Sequence, residues 1–180
     1  MQIKKTLKAD TFKYPSKEER KKINKSTPKI NRLKFDYKSS IIAILQGTSL
    51  ENAIRNEDIP FWNNCLDNRL GKLTETYVYV QTHFKRFQQK SANENTDAIL
   101  LDYYIEIFYY YYFSARDVLG QLLNVVYDLK SEEHEIYFNN KFIEKINFTI
   151  IKEALLEFLR ETKDSYKIRN FFNHRFTPIH

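Results

Sequence analysis

Glycine and proline are scarce in this chain, with three and four copies in 180 residues. Both residues interrupt regular structure, glycine through backbone entropy and proline through its missing N–H. Their scarcity excludes a loop-rich fold and leaves long, uninterrupted elements. Cysteine is scarcer still. The single Cys65 excludes an internal disulfide and a cysteine-rich metal site, and is expected as a small buried hydrophobe. No apolar run approaches the roughly 18 residues that cross a bilayer, so no membrane partner is expected. The opening Met1-Gln2-Ile3-Lys4-Lys5-Thr6 lacks the apolar core of a secretion signal, which points to a cytoplasmic protein. The chain also lacks a glycine-rich phosphate loop, a Ser-His-Asp order and a histidine pair at metal spacing. His83 and His134 read as isolated. A P-loop enzyme or a metalloenzyme is therefore not expected, and no metal or cofactor is assigned.

What is abundant is positive charge, and it is unevenly placed. Residues 1–38 hold thirteen Lys/Arg against four Asp/Glu, a balance of +9, whereas the remainder balances at −3 to give the net +6. Such a segment suits RNA or an acidic protein through charge attraction and counterion release, or it serves as a solvated arm. Residues 1–35 are read as a basic N-terminal segment and 36–180 as the folded domain.

Within that segment, Pro15 and Pro28 bracket a short basic helix near Ser16–Lys25, with Ser16 as cap and Glu18 and Glu19 in its first turn. An apolar run at Ile41–Leu45 follows. Asp58-Ile59-Pro60 is expected to end whatever precedes it. Helical spacing returns from Leu66 to Gln89. Its stretch Thr74–Thr82 is rich in β-branched and aromatic residues and leaves a local strand open, though the lack of turn residues after Gly71 favours helix. Ser91–Thr96 reads as a loop whose Asn and Thr can cap a helix. A pattern without proline then runs from Thr96 to Leu129, about 50 Å if helical. Lys130–Asn140 reads as a polar connection. Thr149 is expected to cap a helix reaching Thr162, and a last short helix carries Arg169–His174. These elements specify an all-α fold, an antiparallel helical bundle with one very long aromatic-rich helix.

Chemistry concentrates near the C-terminus, in Ile168-Arg169-Asn170-Phe171-Phe172-Asn173-His174-Arg175. Arginine is a permanent cation with a planar fork for phosphate oxygens, and histidine exchanges a proton near neutral pH. Together they suffice for cleaving RNA without a metal. Asn170 and His174 share a helix face, while Arg169 lies about 140° round from His174, so the three converge only at a helix end, a bend or a wrapped groove. The plainer alternative has Arg169 capping carbonyls and His174 as a surface residue. Arg175 and His180 repeat the Arg-x4-His spacing across Pro178 and carry little functional weight.

The long helix supplies a second constellation. Asp102, Glu106, Asp117, Asn124 and Asp128 project within about 80° of one another, with Tyr109 and Phe113 in the same stripe. Such a stripe lines a cleft or an interface, or is the outer face of a bundle helix. Asp117 and Asn124 are its strongest functional members. Tyr103, Tyr104, Phe108 and Tyr109–Phe113 suit core or subunit contact, and more rarely stacking on bases.

Arg169-Asn170-x3-His174-Arg175 resembles the RN-x3-H signature of the HEPN superfamily, all-helical domains common in prokaryotic toxin–antitoxin and phage-defence systems. The segment Phe113-Ser-Ala-Arg-Asp117-Val-Leu-Gly-Gln-Leu-Leu-Asn124 resembles that family's long inner helix. The resemblance covers roughly residues 60–176. It implies a homodimer whose two motifs meet in a positively charged cleft and cut single-stranded RNA without a metal. Arg169, Asn170, His174 and Asp117 are then the catalytic set, with Asn124, Arg116 and Arg175 toward substrate. An antitoxin or a defence-complex protein is a further implied partner. Two other classes stay open: a HEPN module that binds nucleotide or RNA, or assembles, without catalysis, and an unrelated helical adaptor.

Overall fold

A computed structural model describes residues 14–30, 40–90, 94–168 and 170. Helices α1 (Lys17–Ser26), α2 (Ser40–Leu45), α3 (Leu50–Gln88), α4 (Glu94–Val126), α5 (Asn140–Ile143) and α6 (Thr149–Glu161) follow in order, with a 3-10 turn at Glu133–Glu135. Among the described residues there is no strand, and the fold is an all-α helical bundle. Two helices are very long, 39 residues in α3 and 33 in α4. The aromatic-rich helix expected over Thr96–Leu129 is α4. It begins two residues early, so Asn95 and Thr96 lie inside it rather than in a loop, and residues 91–93 of that loop lie outside the described residues.

The chain divides into two compact units. One joins α1 to residues 71–109, and the other joins residues up to 70, from α2 on, to residues from 110 onward.

In the first unit the cap expected at Ser16 is present as a full capping box. The Ser16 hydroxyl accepts from the Glu19 N–H (3.2 Å), and the Glu19 carboxylate accepts from the Ser16 N–H (2.7 Å). That carboxylate also takes two 2.8 Å hydrogen bonds from Arg86 of α3. Arg20 donates to Glu75 (3.0 Å) and Tyr79 (3.2 Å), and Ile23 is buried beneath. The basic helix is thus fastened to α3 by bidentate and branched charged bonds. Arg86 above all holds the Glu19 carboxyl far below its ordinary 4.5, at about 2.

The β-branched run Thr74–Thr82 is helical. Thr76 donates to the Lys72 carbonyl and Thr82 to the Val78 carbonyl, both at 2.8 Å, so each hydroxyl is satisfied four residues back within the helix. Ring pairs Tyr77–Phe108 and Tyr79–Tyr104 set α3 and α4 antiparallel here, since partner numbers fall as α3 numbers rise.

In the second unit Leu66 packs with Ala115 and Leu122, flanked by Ile59, Trp62, Leu70 and Val126. Pro60 sits inside α3 without ending it, contrary to the expected break at Asp58-Ile59-Pro60. Residues 59, 62, 66 and 70 form one apolar stripe only if the helix continues. Its burial offsets the cost of about 3 kcal/mol for an internal proline. A second core gathers Leu123, Ile136, Phe138, Phe142, Ile143 and Ile146 against Leu155, Leu156, Phe158 and Leu159 of α6. Lys130–Asn140 is a connection as expected, but it is not merely polar, because Ile136 and Phe138 are core residues. Gly120 of α4 lets them in: a Cβ there would lie 3.1 Å from Ile136 Cγ2. Cys65 is only half-buried. Thr149 is the first residue of α6 and not its cap, since Phe148 precedes it and offers no side-chain acceptor.

Two predictions follow from this packing. Gly120→Leu should lower the unfolding free energy by about 1–3 kcal/mol through overpacking, whereas Gly71→Ala, with nothing within 4 Å, should raise it by up to about 1 kcal/mol; urea denaturation reads both. Because the Glu19 carboxyl is depressed in the folded state, its contribution to holding α1 is complete above about pH 4.5 and fades as pH falls towards 2. An NMR titration of the Ile23 methyls should follow that window in the wild type and lose it in Glu19→Gln.

Candidate functional site

Of the terminal motif, Asn170 is helical and exposed, and Arg169, His174 and Arg175 lie outside the described residues. What the structure does describe is the segment that leads into them. The α6 helix ends at Glu161 with the Thr162 N–H returning to the Phe158 and Arg160 carbonyls. After a turn, residues 165–168 are helical again. Tyr166 on this turn meets α4, where its hydroxyl accepts a 2.6 Å hydrogen bond from Arg116 Nη2. The same nitrogen donates to the Phe138 carbonyl at 3.2 Å.

Arg116 is 3% exposed. Its guanidinium carbon lies 4.6 Å from the Tyr166 ring centre and 5.4 Å from those of Phe113 and Phe138. Tyr112 and Phe158 complete the enclosure at 5.9 Å each. Ring faces carry negative potential, so five of them stabilise a cation that has left water. Among the described residues its hydrogen-bond acceptors are a carbonyl and a phenol, neither of them an anion, and Nε and Nη1 find no partner. A guanidinium sealed this way is turned inward among rings and away from solvent. It fixes Tyr166, three residues before Arg169, against the middle of α4.

Asp117, beside it in sequence, is exposed. Asn124 is half-buried and clamps the connection after α4: its amide donates to the Ser131 carbonyl (3.0 Å) and accepts from the Ser131 N–H (3.1 Å). Of the remaining stripe, Asp102 is exposed, Glu106 is half-buried, and Asp128 pairs with Arg55 at 3.1 Å. The structure therefore joins Arg116 to Tyr166 and gives Asn124 a loop-closing bond. Beside the Tyr166 turn, Lys141, Arg160 and Lys163 line a depression of about 780 Å³ floored by Leu156 and Leu159.

One constellation escaped sequence reasoning. His83, read as isolated, is fully buried, with Nδ1 2.8 Å from an Asp97 oxygen that is itself buried. The ring stacks on Tyr104 at 5.6 Å and 6°. Residues 83 and 97 are equidistant from residue 90, in the α3–α4 connection. In an antiparallel helix pair, residues placed symmetrically about the turn come together, and that symmetry was the available signal. Among the described residues no group of three or more His, Cys, Asp or Glu could hold a metal ion. No described helix is long and apolar enough to cross a membrane.

A family model described as Cthe2314-like HEPN matches residues 62–180. No curated protein and no solved structure matches the chain. The match spans well over half of the sequence, and the chain belongs to the HEPN family.

Removing the acidic partner of His83 leaves a buried ring nitrogen without its hydrogen bond. Asp97→Ala should therefore destabilise the first unit by about 1–3 kcal/mol, read as a lowered denaturation midpoint with unchanged slope.

Proposed function

We propose that this HEPN protein is a metal-independent endoribonuclease, acting as a toxin or antiphage effector. One observation carries the reading: Arg169, Asn170 and His174 stand in RN-x3-H register within the matched region 62–180. HEPN membership supports a nuclease-type or nucleotide-binding module, and this motif favours the nuclease.

The chemistry requires a base on the 2′-hydroxyl, an acid on the leaving 5′-oxygen and positive charge at the phosphorane. One motif supplies a single imidazole. Two chains paired as a homodimer supply both, one His174 as base and its partner's as acid, with the Arg169 guanidiniums on the non-bridging oxygens. The proton taken from the 2′-hydroxyl and the proton given to the 5′-oxygen balance, leaving a 2′,3′-cyclic phosphate and a 5′-hydroxyl end. Asn170 orients the imidazole or holds substrate, Asp117 steadies the arginine, and Asn124 and Arg175 lie toward the RNA. Arg116 and Tyr166 are positioning residues that fix where the motif segment leaves α4. A second chain finds apolar surface to cover on α2, where Ala43 is buried and Ile41, Ile42, Ile44 and Leu45 are exposed.

The test is labelled single-stranded RNA incubated with purified protein in EDTA. Wild type should cleave to cyclic-phosphate ends, and His174→Ala should be slower by about 10²–10⁴-fold. Undiminished cleavage by His174→Ala would refute the mechanism. RNA binding without any cleavage by wild type would favour a non-catalytic nucleotide- or RNA-binding module.

A further inference from the structure

Helix α1 lies outside the matched region, and its two faces have different chemistry. The inward face carries Ile23, Glu19 and Arg20, all engaged with the first unit. At about 100° per residue, Lys21 and Lys25 lie about 160° away from Ile23, and Lys17 about 120° away. All three are exposed, as is Lys29 on the segment that follows. Together with Arg20, Asn24 and Thr27 these lysines line a depression of about 710 Å³ that includes no carboxylate. The charge of Glu19 is spent on Arg86 and that of Glu75 on Arg20. Three of these ammonium groups are thus held on a fastened helix, and Lys29 follows its end. Residues 1–13 and 31–38 bring seven more cations and two acids in sequence.

We propose that this α1 surface is a phosphate-backbone contact for single-stranded RNA, separate from the terminal motif and independent of base sequence. The proposal rests on the ribonuclease reading for its choice of polyanion. Charge complementarity selects a nucleic acid over a protein. Protein interfaces centre on buried aromatic or aliphatic anchors, and none of the residues lining this depression is either. Lysine acts on phosphate as a point charge, and without an aromatic platform the surface reads charge and not base identity. Its role is to hold a long RNA while the motif cuts it.

The experiment measures RNA affinity against salt in the His174→Ala background, comparing the parent with Lys17→Gln, Lys21→Gln, Lys25→Gln and Lys29→Gln combined. A homopolymeric and a mixed-sequence RNA serve as probes. Four lost contacts should flatten the slope of log K against log salt by about 3 and weaken both RNAs alike, at least tenfold at moderate salt. The matching Lys→Arg combination should retain binding, which separates charge from any effect on folding. Unchanged affinity and slope in the glutamine variant, or no RNA binding by the parent, would overturn the proposal and leave the surface to an acidic protein. Separately, wild-type protein that binds RNA through these lysines yet fails to cut it in EDTA retires the catalytic reading alone. Cleavage by wild type alongside unimpaired binding by the glutamine variant retires the lysine surface alone.

Discussion

Antiparallel pairing of the two long helices is the constraint on which everything else depends. Helices of 39 and 33 residues cannot hold themselves by propensity alone and must bury an apolar stripe against a partner. In the first unit that partnership runs through Tyr77–Phe108, Tyr79–Tyr104 and the His83–Asp97 pair. In the second it runs through Leu66, Ala115 and Leu122, with Arg55–Asp128 near the end. The same pairing carries α3 across Pro60, because ending the helix there would leave Ile59 and Trp62 out of register with Leu66. A proline's local cost is small beside a misplaced stripe.

Placement of charge then distinguishes the two units. In the first, buried or half-buried polar groups find hydrogen-bonding partners: Asp97 meets His83, and Glu19 meets Arg86. Such pairing turns a basic, solvent-seeking segment into a fixed helix, with Glu19 turned inward and Lys17, Lys21 and Lys25 outward. In the second, Arg116 is buried with a phenol, a carbonyl and five ring faces. Breaking up that enclosure would leave a cation in an apolar core, so the arrangement of Tyr112, Phe113, Phe138, Phe158 and Tyr166 is mutually enforced. Through Tyr166 the constraint reaches the helical turn at residues 165–168. The aromatic density of α4 thus has a local physical use, separate from any role in stacking on bases.

Several features were legible in the residues themselves. The cap at Ser16, the helical spacing of Leu66–Gln89, the span of α4 and the family likeness all rest on local spacing, which a linear string displays directly. Misreadings arose where long-range packing outweighs local preference. Pro60 should stop a helix, and does not. Lys130–Asn140 looks like a polar link because its polar residues outnumber Ile136 and Phe138, yet those two fill a core that Gly120 leaves room for. The burial of Arg116 is likewise invisible in a linear string. Its burial depends on rings contributed from α4, α6 and two connecting segments.

What the sequence alone determined is therefore the helical class, the charge asymmetry and the motif register, each encoded within a few neighbouring residues. The tertiary structure decided which charges are paired and which remain outward, which aromatics enclose Arg116, and that His83 is a partner of Asp97 and not an isolated side chain. The physical reason is that desolvation and ion pairing depend on distance in space. Residues 83 and 97, or 116 and 166, become neighbours only after helices have folded back on one another.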